Sequence, residues 1–127
     1  MNKTKQLGDE AERLACEYLV KKGFKIMETK CALPCGEIDI IAKKRNFLFF
    51  DRTIHFIEVK SLNKSPYFFP EQKVNFKKRE KYKKLIKFWF HLNKYPLDYP
   101  CQVDIIAISF DKKEPEIRYF EDVVKEA

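Results

Sequence analysis

Two apolar segments of this chain carry charge where a buried strand has no room for it unpaired: Gly36-Glu37-Ile38-Asp39-Ile40-Ile41 and Phe56-Ile57-Glu58-Val59-Lys60. Both are rich in β-branched residues and read as strands. Side chains alternate along a strand, so Phe56, Glu58 and Lys60 share one face while Ile57 and Val59 take the other. In the first segment the same rule groups Glu37, Asp39 and Ile41 and sends Ile38, Ile40 and Ala42 to the opposite side. Asp39 thus stands among isoleucines, in a strand too apolar to be a solvated edge. A carboxylate there is costly unless compensated, and Lys60 or a divalent cation would compensate it. Singly, each of the three reads more naturally as part of a wet strand face; together they define a candidate site.

The rest of the chain sets the fold class around these strands. In residues 4–22, Leu7, Ala11, Leu14, Ala15, Tyr18 and Leu19 fall on one helical face, with Thr4 or Asn2 as cap and Gly23 as terminator. A short strand near 24–28 and a turn at 34–36 follow. Strands at 37–43, 47–50 and 54–60 form an expected antiparallel meander. A loop with Pro66 and Pro70 leads to a second helix over 71–92, carrying Val74, Tyr82, Leu85, Ile86 and Trp89 on one side. Residues 103–110 make an apolar strand and 117–120 a peripheral one. This order predicts an α/β (α+β) fold: a mixed central sheet flanked by helices. With 127 residues, 45% of them hydrophobic, the chain can close one core, so a single domain over 1–127 is expected.

Each helix brings a charge toward the core. At about 100° per residue Glu12 falls at the border of the first apolar stripe, whereas Asp9 and Arg13 point away. Lys78 lies between Val74 and Tyr82, inside the second stripe. A lone lysine there more often snorkels than does chemistry. The 26 lysines and arginines against 19 aspartates and glutamates give a net charge of +7. That suits a polyanionic partner, although charge alone does not separate DNA from RNA or an acidic membrane. Tyr67, Phe68 and Phe69 read as core closure before base stacking.

Several classes are set aside. His55 and His91 are too few and scattered for a histidine-metal or histidine-base nuclease. Cys16, Cys31, Cys35 and Cys101 lack paired zinc-ligand spacing and read as reduced, buried or half-buried thiols. No signal-peptide pattern or bilayer-length apolar run is present, so the expectation is a cytoplasmic protein with no membrane partner.

In the order Gly8-Asp9, Glu12, Ala15, Lys22-Gly23-Phe24, the two segments above, then Val74, Lys78, Trp89 and Val103-Asp104-Ile105-Ile106, the chain resembles the YraN-like family of small bacterial proteins. That family has the PD-(D/E)xK nuclease fold, which is restriction-endonuclease-like and related in shape to archaeal Holliday junction resolvases. The resemblance implies an endonuclease that hydrolyses phosphodiester bonds, in DNA more than RNA, with branched or junction DNA of repair or recombination as the substrate class. It implies Asp39 and Glu58 as ligands of Mg2+ or Mn2+, Lys60 as catalytic lysine and Glu12 as supporting acid. The Val59 carbonyl is the expected third metal ligand. Lys78 matches a recurrent second-helix lysine, and with Lys77 and Lys81 is expected to contact phosphates. A homodimer would suit cutting both strands of a junction. Ser61, Leu62 and Gln102 stand where relatives usually carry basic residues. The competing expectation is a non-catalytic nucleic-acid-binding or adaptor module on the same fold.

Overall fold

Apolar side chains three and four apart give α1 (Lys3–Lys21) one buried side, on which Ala11, Ala15 and Leu19 are fully enclosed. The computed structural model describes residues 3–45, 51–62 and 76–124. Helix α1 begins before Thr4, which rules out Thr4 as its cap; Asn2 lies outside the described residues. It ends at Gly23, whose φ of 93° is left-handed and whose N–H returns to the Val20 carbonyl. Glycine takes that conformation without a Cβ clash.

Five strands follow: β1 (Phe24–Leu33), β2 (Gly36–Lys44), β3 (Ile54–Leu62), β4 (Cys101–Ser109) and β5 (Glu116–Phe120), ordered β1-β2-β3-β4-β5 in one sheet. Helix α2 (Phe76–Leu92) carries the chain from β3 to β4. That pair is parallel, while the other three pairings are antiparallel. A parallel pair requires such a crossover. The fold is therefore α/β (α+β), a mixed five-stranded sheet flanked by two helices, compatible with a restriction-endonuclease-like architecture.

The antiparallel meander exists, but it is β1-β2-β3, with β2 bonded directly to β3. The expected strand at 47–50 lies outside the described residues, as do 71–75 of the expected second helix and Tyr67, Phe68 and Phe69. Strand β1 runs five residues past its predicted end because it is an outer strand with a wet side, so its polar Thr29 pairs with Ile40 without being buried.

The sheet separates two apolar layers. Ala11, Ala15 and Leu19 of α1 pack on Phe24, Ile40, Ala42, Ile57, Ile106 and Ile108. Tyr82, Leu85, Trp89 and Phe90 of α2 pack on Cys31, Ile38, Ile41, Ile54, Phe56 and Val103. Simple alternation puts Ile38 with Ile40, yet Ile38 joins the α2 layer. The β2–β3 ladder runs from Lys43–Ile54 to Ile40–Ile57 and stops, so the strand can turn beyond Ile40. Asp39 lies at that break.

The β1–β2 turn is pinned to α2 through Gly36, whose φ is 149° and where a Cβ would meet Lys81 Cε at 3.1 Å and Leu85 Cδ2 at 3.4 Å. Gly36→Ala is therefore expected to destabilise the fold by about 1–2 kcal/mol through backbone strain and crowding. Urea unfolding would show it as a lowered midpoint at constant slope; an unchanged midpoint would refute it.

Candidate active site

Where the β2–β3 ladder ends, Val59 of β3 has no partner on the β2 side, and its N–H donates instead to Asp39 Oδ2 at 2.9 Å. This bond ties the β2 carboxylate to the backbone between Glu58 and Lys60. Glu58 Oε1 lies 3.2 Å from Lys60 Nζ, two residues on along the same face, and Oε2 lies 2.9 Å from Lys78 Nζ, reaching across from α2. Glu12 arrives from α1. Its Oε1 is buried with no hydrogen-bond partner.

The electrostatics follow from crowding. Burial raises the Asp39 carboxyl, and neighbouring Glu58 and Glu37 raise it further, against the Val59 N–H and Lys60. Burial also raises Glu12, with Asp39 adding to the effect. Glu58 is pushed up by burial too, but its two lysines outweigh that and leave it below its ordinary value. Lys78 is lowered, first by burial and then by Lys60, more than Glu58 restores. Burial lowers Lys78 and opposes the fall of Glu58, while the second ammonium group, that of Lys60, pushes both ends of the pair down.

Of the expected site residues Glu58, Lys60, Lys77, Lys78 and Lys81 share one cleft, whereas Asp39 and Glu12 do not line it; Asp39 is tied to it through the Val59 N–H, and Glu12 feels the Asp39 charge. The cleft, which Lys84 also lines, is open and of about 760 Å³. Two residues to which the sequence assigned no site role also bear on it. Tyr82, one turn after Lys78, is buried, and its phenol is held well above its ordinary range by burial and the Glu58 carboxylate. Lys30 of β1 bonds Asp9 at 2.8 Å, joining β1 to α1 beside Glu12. The spacing of Tyr82 after Lys78 was the available signal, but it is also the spacing of a core residue.

Among the described residues no three His, Cys, Asp or Glu side chains converge as ligands of one ion. Asp39 and Glu58 supply two carboxylates, with the Val59 carbonyl between Glu58 and Lys60 as a third oxygen. The donors are all hard oxygens, which suits Mg2+ or Mn2+. Asp39 and Glu12, both raised first by burial and then by neighbouring carboxylates, and an unpartnered Glu12 oxygen mark a place short of positive charge. On those grounds the residues fit such an ion.

Residues 11–108 match the family described as "Uncharacterised protein family UPF0102". The chain belongs to this family. A UPF0102 protein of Thermodesulfovibrio yellowstonii is 44% identical over 108 residues, covering 85% of this chain and 88% of the relative. Another, from Caldicellulosiruptor bescii, is 36% identical over 109 residues, covering 86% and 87%. Among solved structures, Pyrococcus furiosus SfsA in complex with Ca2+ aligns with a TM-score of 0.38 at 13% identity, covering 93% of this chain. The chain spans only 63% of that structure, and the likeness is too slight to carry any property across.

A second polar cluster, distinct from the cleft, has His55, Gln102 and Asp104 inside the matched residues and Tyr119 and Asp122 beyond them. Asp104 of β4 is fully buried and receives Gln102 Nε2 at 2.9 Å, the Tyr119 hydroxyl at 2.5 Å and the Asp122 N–H at 2.9 Å. It also lies 2.6 Å from His55 Nδ1, while His55 Nε2 is buried without a partner. These bonds hold the segment after β5 against β4. Gln102 serves here as a donor to Asp104.

All four cysteines are free. Cys31 is buried, and burial followed by the Glu28 carboxylate pushes its thiol up to about 11, which keeps it protonated. Cys35 and Cys101 are exposed, contrary to the expected burial, because both sit where strands begin or turn. No helix among the described residues is long and apolar enough to cross a membrane.

Proposed function

We propose that this UPF0102 protein is a Mg2+- or Mn2+-dependent endonuclease that hydrolyses phosphodiester bonds in DNA, acting on branched or junction DNA in repair or recombination. One observation carries the proposal: Asp39 is bonded to the Val59 N–H at 2.9 Å, beside Glu58 and Lys60, at the point where β2 and β3 part. Asp39, Glu58 and the Val59 carbonyl hold the ion, and Glu12 backs it from α1. When bound, such an ion neutralises charge on the phosphate and acidifies water. Lys60 orients the attacking water and donates to the negative charge that grows in the transition state. Lys78, anchored on Glu58, faces the phosphate with Lys77 and Lys81. Cutting both strands of a junction calls for two such sites, hence for a pair of copies.

A second reading is supported by one feature. Glu58 is already engaged by two lysines, at 3.2 and 2.9 Å, which supply the positive charge a cation would bring. The protein would then bind nucleic acid, or serve as an adaptor, without cutting.

The test is a panel of junction, flap, duplex and single-stranded DNA, with RNA counterparts, incubated with Mg2+, Mn2+ or chelator beside Lys60→Ala. Cleavage only with metal, slowed about 100-fold or more in Lys60→Ala, is the expected outcome. Equal cleavage by Lys60→Ala, or cleavage in chelator, defeats the proposal. Salt-dependent binding with no cleavage selects the non-catalytic module.

A further inference from the structure

Lys77, Lys81, Lys84, Phe88 and His91 are spaced four, three, four and three apart along α2, so they form one stripe on its exposed side. The stripe covers about 21 Å of helix. It is lined by two adjoining hollows. The cleft at Glu58 and Lys60 is the first; a second, of about 440 Å³, is bordered by Lys84, Lys87, Phe88 and His91. Lys84 and the turn residue Cys35 border both. A groove therefore leads from the candidate site along α2, between the helix and the β1–β2 turn.

We infer that this groove holds a single-stranded segment of nucleic acid leaving the site, with the lysines on its phosphates and Phe88 as a platform for a base. The inference rests on the reading that the Glu58–Lys60 site meets a phosphodiester. Two observations favour a single strand over a duplex. Each hollow, of about 760 and 440 Å³, has the volume of a small-molecule pocket and seats a separated nucleotide. Phe88 is 37% exposed in the middle of a basic stripe. A duplex held through its phosphates offers such a ring nothing, whereas an unpaired base stacks on it. The substrate class becomes a strand with an unpaired arm beside the scissile bond.

The experiment is fluorescence anisotropy with labelled oligothymidylate, its ribo counterpart and a duplex of equal length, all in chelator so that nothing is cut. Phe88→Ala should lose about tenfold in single-strand affinity with duplex affinity unchanged, and Phe88→Tyr should restore it. Lys84→Gln should lower the slope of log affinity against log salt by about 0.7. The two single strands report whether sugar chemistry matters. Unchanged single-strand binding in Phe88→Ala, or equal loss for duplex, overturns the inference, and a melting curve confirms that the variant is folded. Phe88-dependent binding without metal-dependent cleavage would keep the groove and remove the nuclease reading. Metal-dependent cleavage with Phe88-independent binding would do the reverse.

Discussion

Asp39→Asn protein is expected to cut at least about 1000-fold more slowly than wild type while melting at or above the wild-type temperature. An asparagine oxygen can still accept the Val59 N–H, so the bond that holds β2 to the end of β3 survives. What disappears is the negative charge. In the folded protein that charge is unfavourable, since burial and then the Glu58 and Glu37 carboxylates hold the Asp39 carboxyl above its ordinary value. A raised carboxyl means that ionisation at neutral pH works against folding, so neutralising it relieves the fold. The same charge is what a divalent ion needs. Activity and stability should therefore move in opposite directions, as they do when a site is built at the expense of stability. Single-turnover cleavage with Mn2+ and a thermal melt on one preparation would measure both. Undiminished cleavage would remove Asp39 from the site; a large loss of stability would make it a structural residue.

Asp104→Ala should have the largest effect on folding, about 3–5 kcal/mol, or on the order of 10–20 °C in melting temperature. Removing the carboxylate leaves His55 buried with neither ring nitrogen bonded, and frees Gln102, Tyr119 and the Asp122 N–H at once. A pH series adds a sharper check. Burial pushes the Asp104 carboxyl up, but its hydrogen bonds to His55, Tyr119, Asp122 and Gln102 prevail and hold it below the ordinary aspartate value of 3.8. A depressed folded value means that the contribution is complete above the unfolded value and is lost as pH falls through the folded one. The stability gap between wild type and Asp104→Asn should thus hold near neutrality and close below about pH 4. Equal stability of wild type and Asp104→Ala at pH 7 would show that the cluster contributes nothing.

Helix α1, its end at Gly23 and strands β2 and β3 were legible because each is written in local spacing. Parity along β3 also placed Glu58 and Lys60 side by side, and stripe position alone drew attention to Glu12 and Lys78. The same parity misplaced Ile38, since a strand keeps its alternation only while a neighbour holds it, and β2 loses its β3 partner beyond Ile40. The His55–Asp104 pair was out of reach. Its members are 49 residues apart and meet only because β3 and β4 run parallel in the observed register. Read singly, His55 was a scattered histidine and Asp104 a charge in an apolar strand.

Sequence alone settled which residues had to be accommodated in pairs, because a carboxylate between isoleucines is too costly to stay uncompensated. Tertiary structure decided the pairing: Val59 N–H for Asp39, two lysines for Glu58 and His55 for Asp104. Periodicity reports only the side of its own element that a residue occupies. Which groups face it from elsewhere depends on where ladders stop and how helices lie across the sheet.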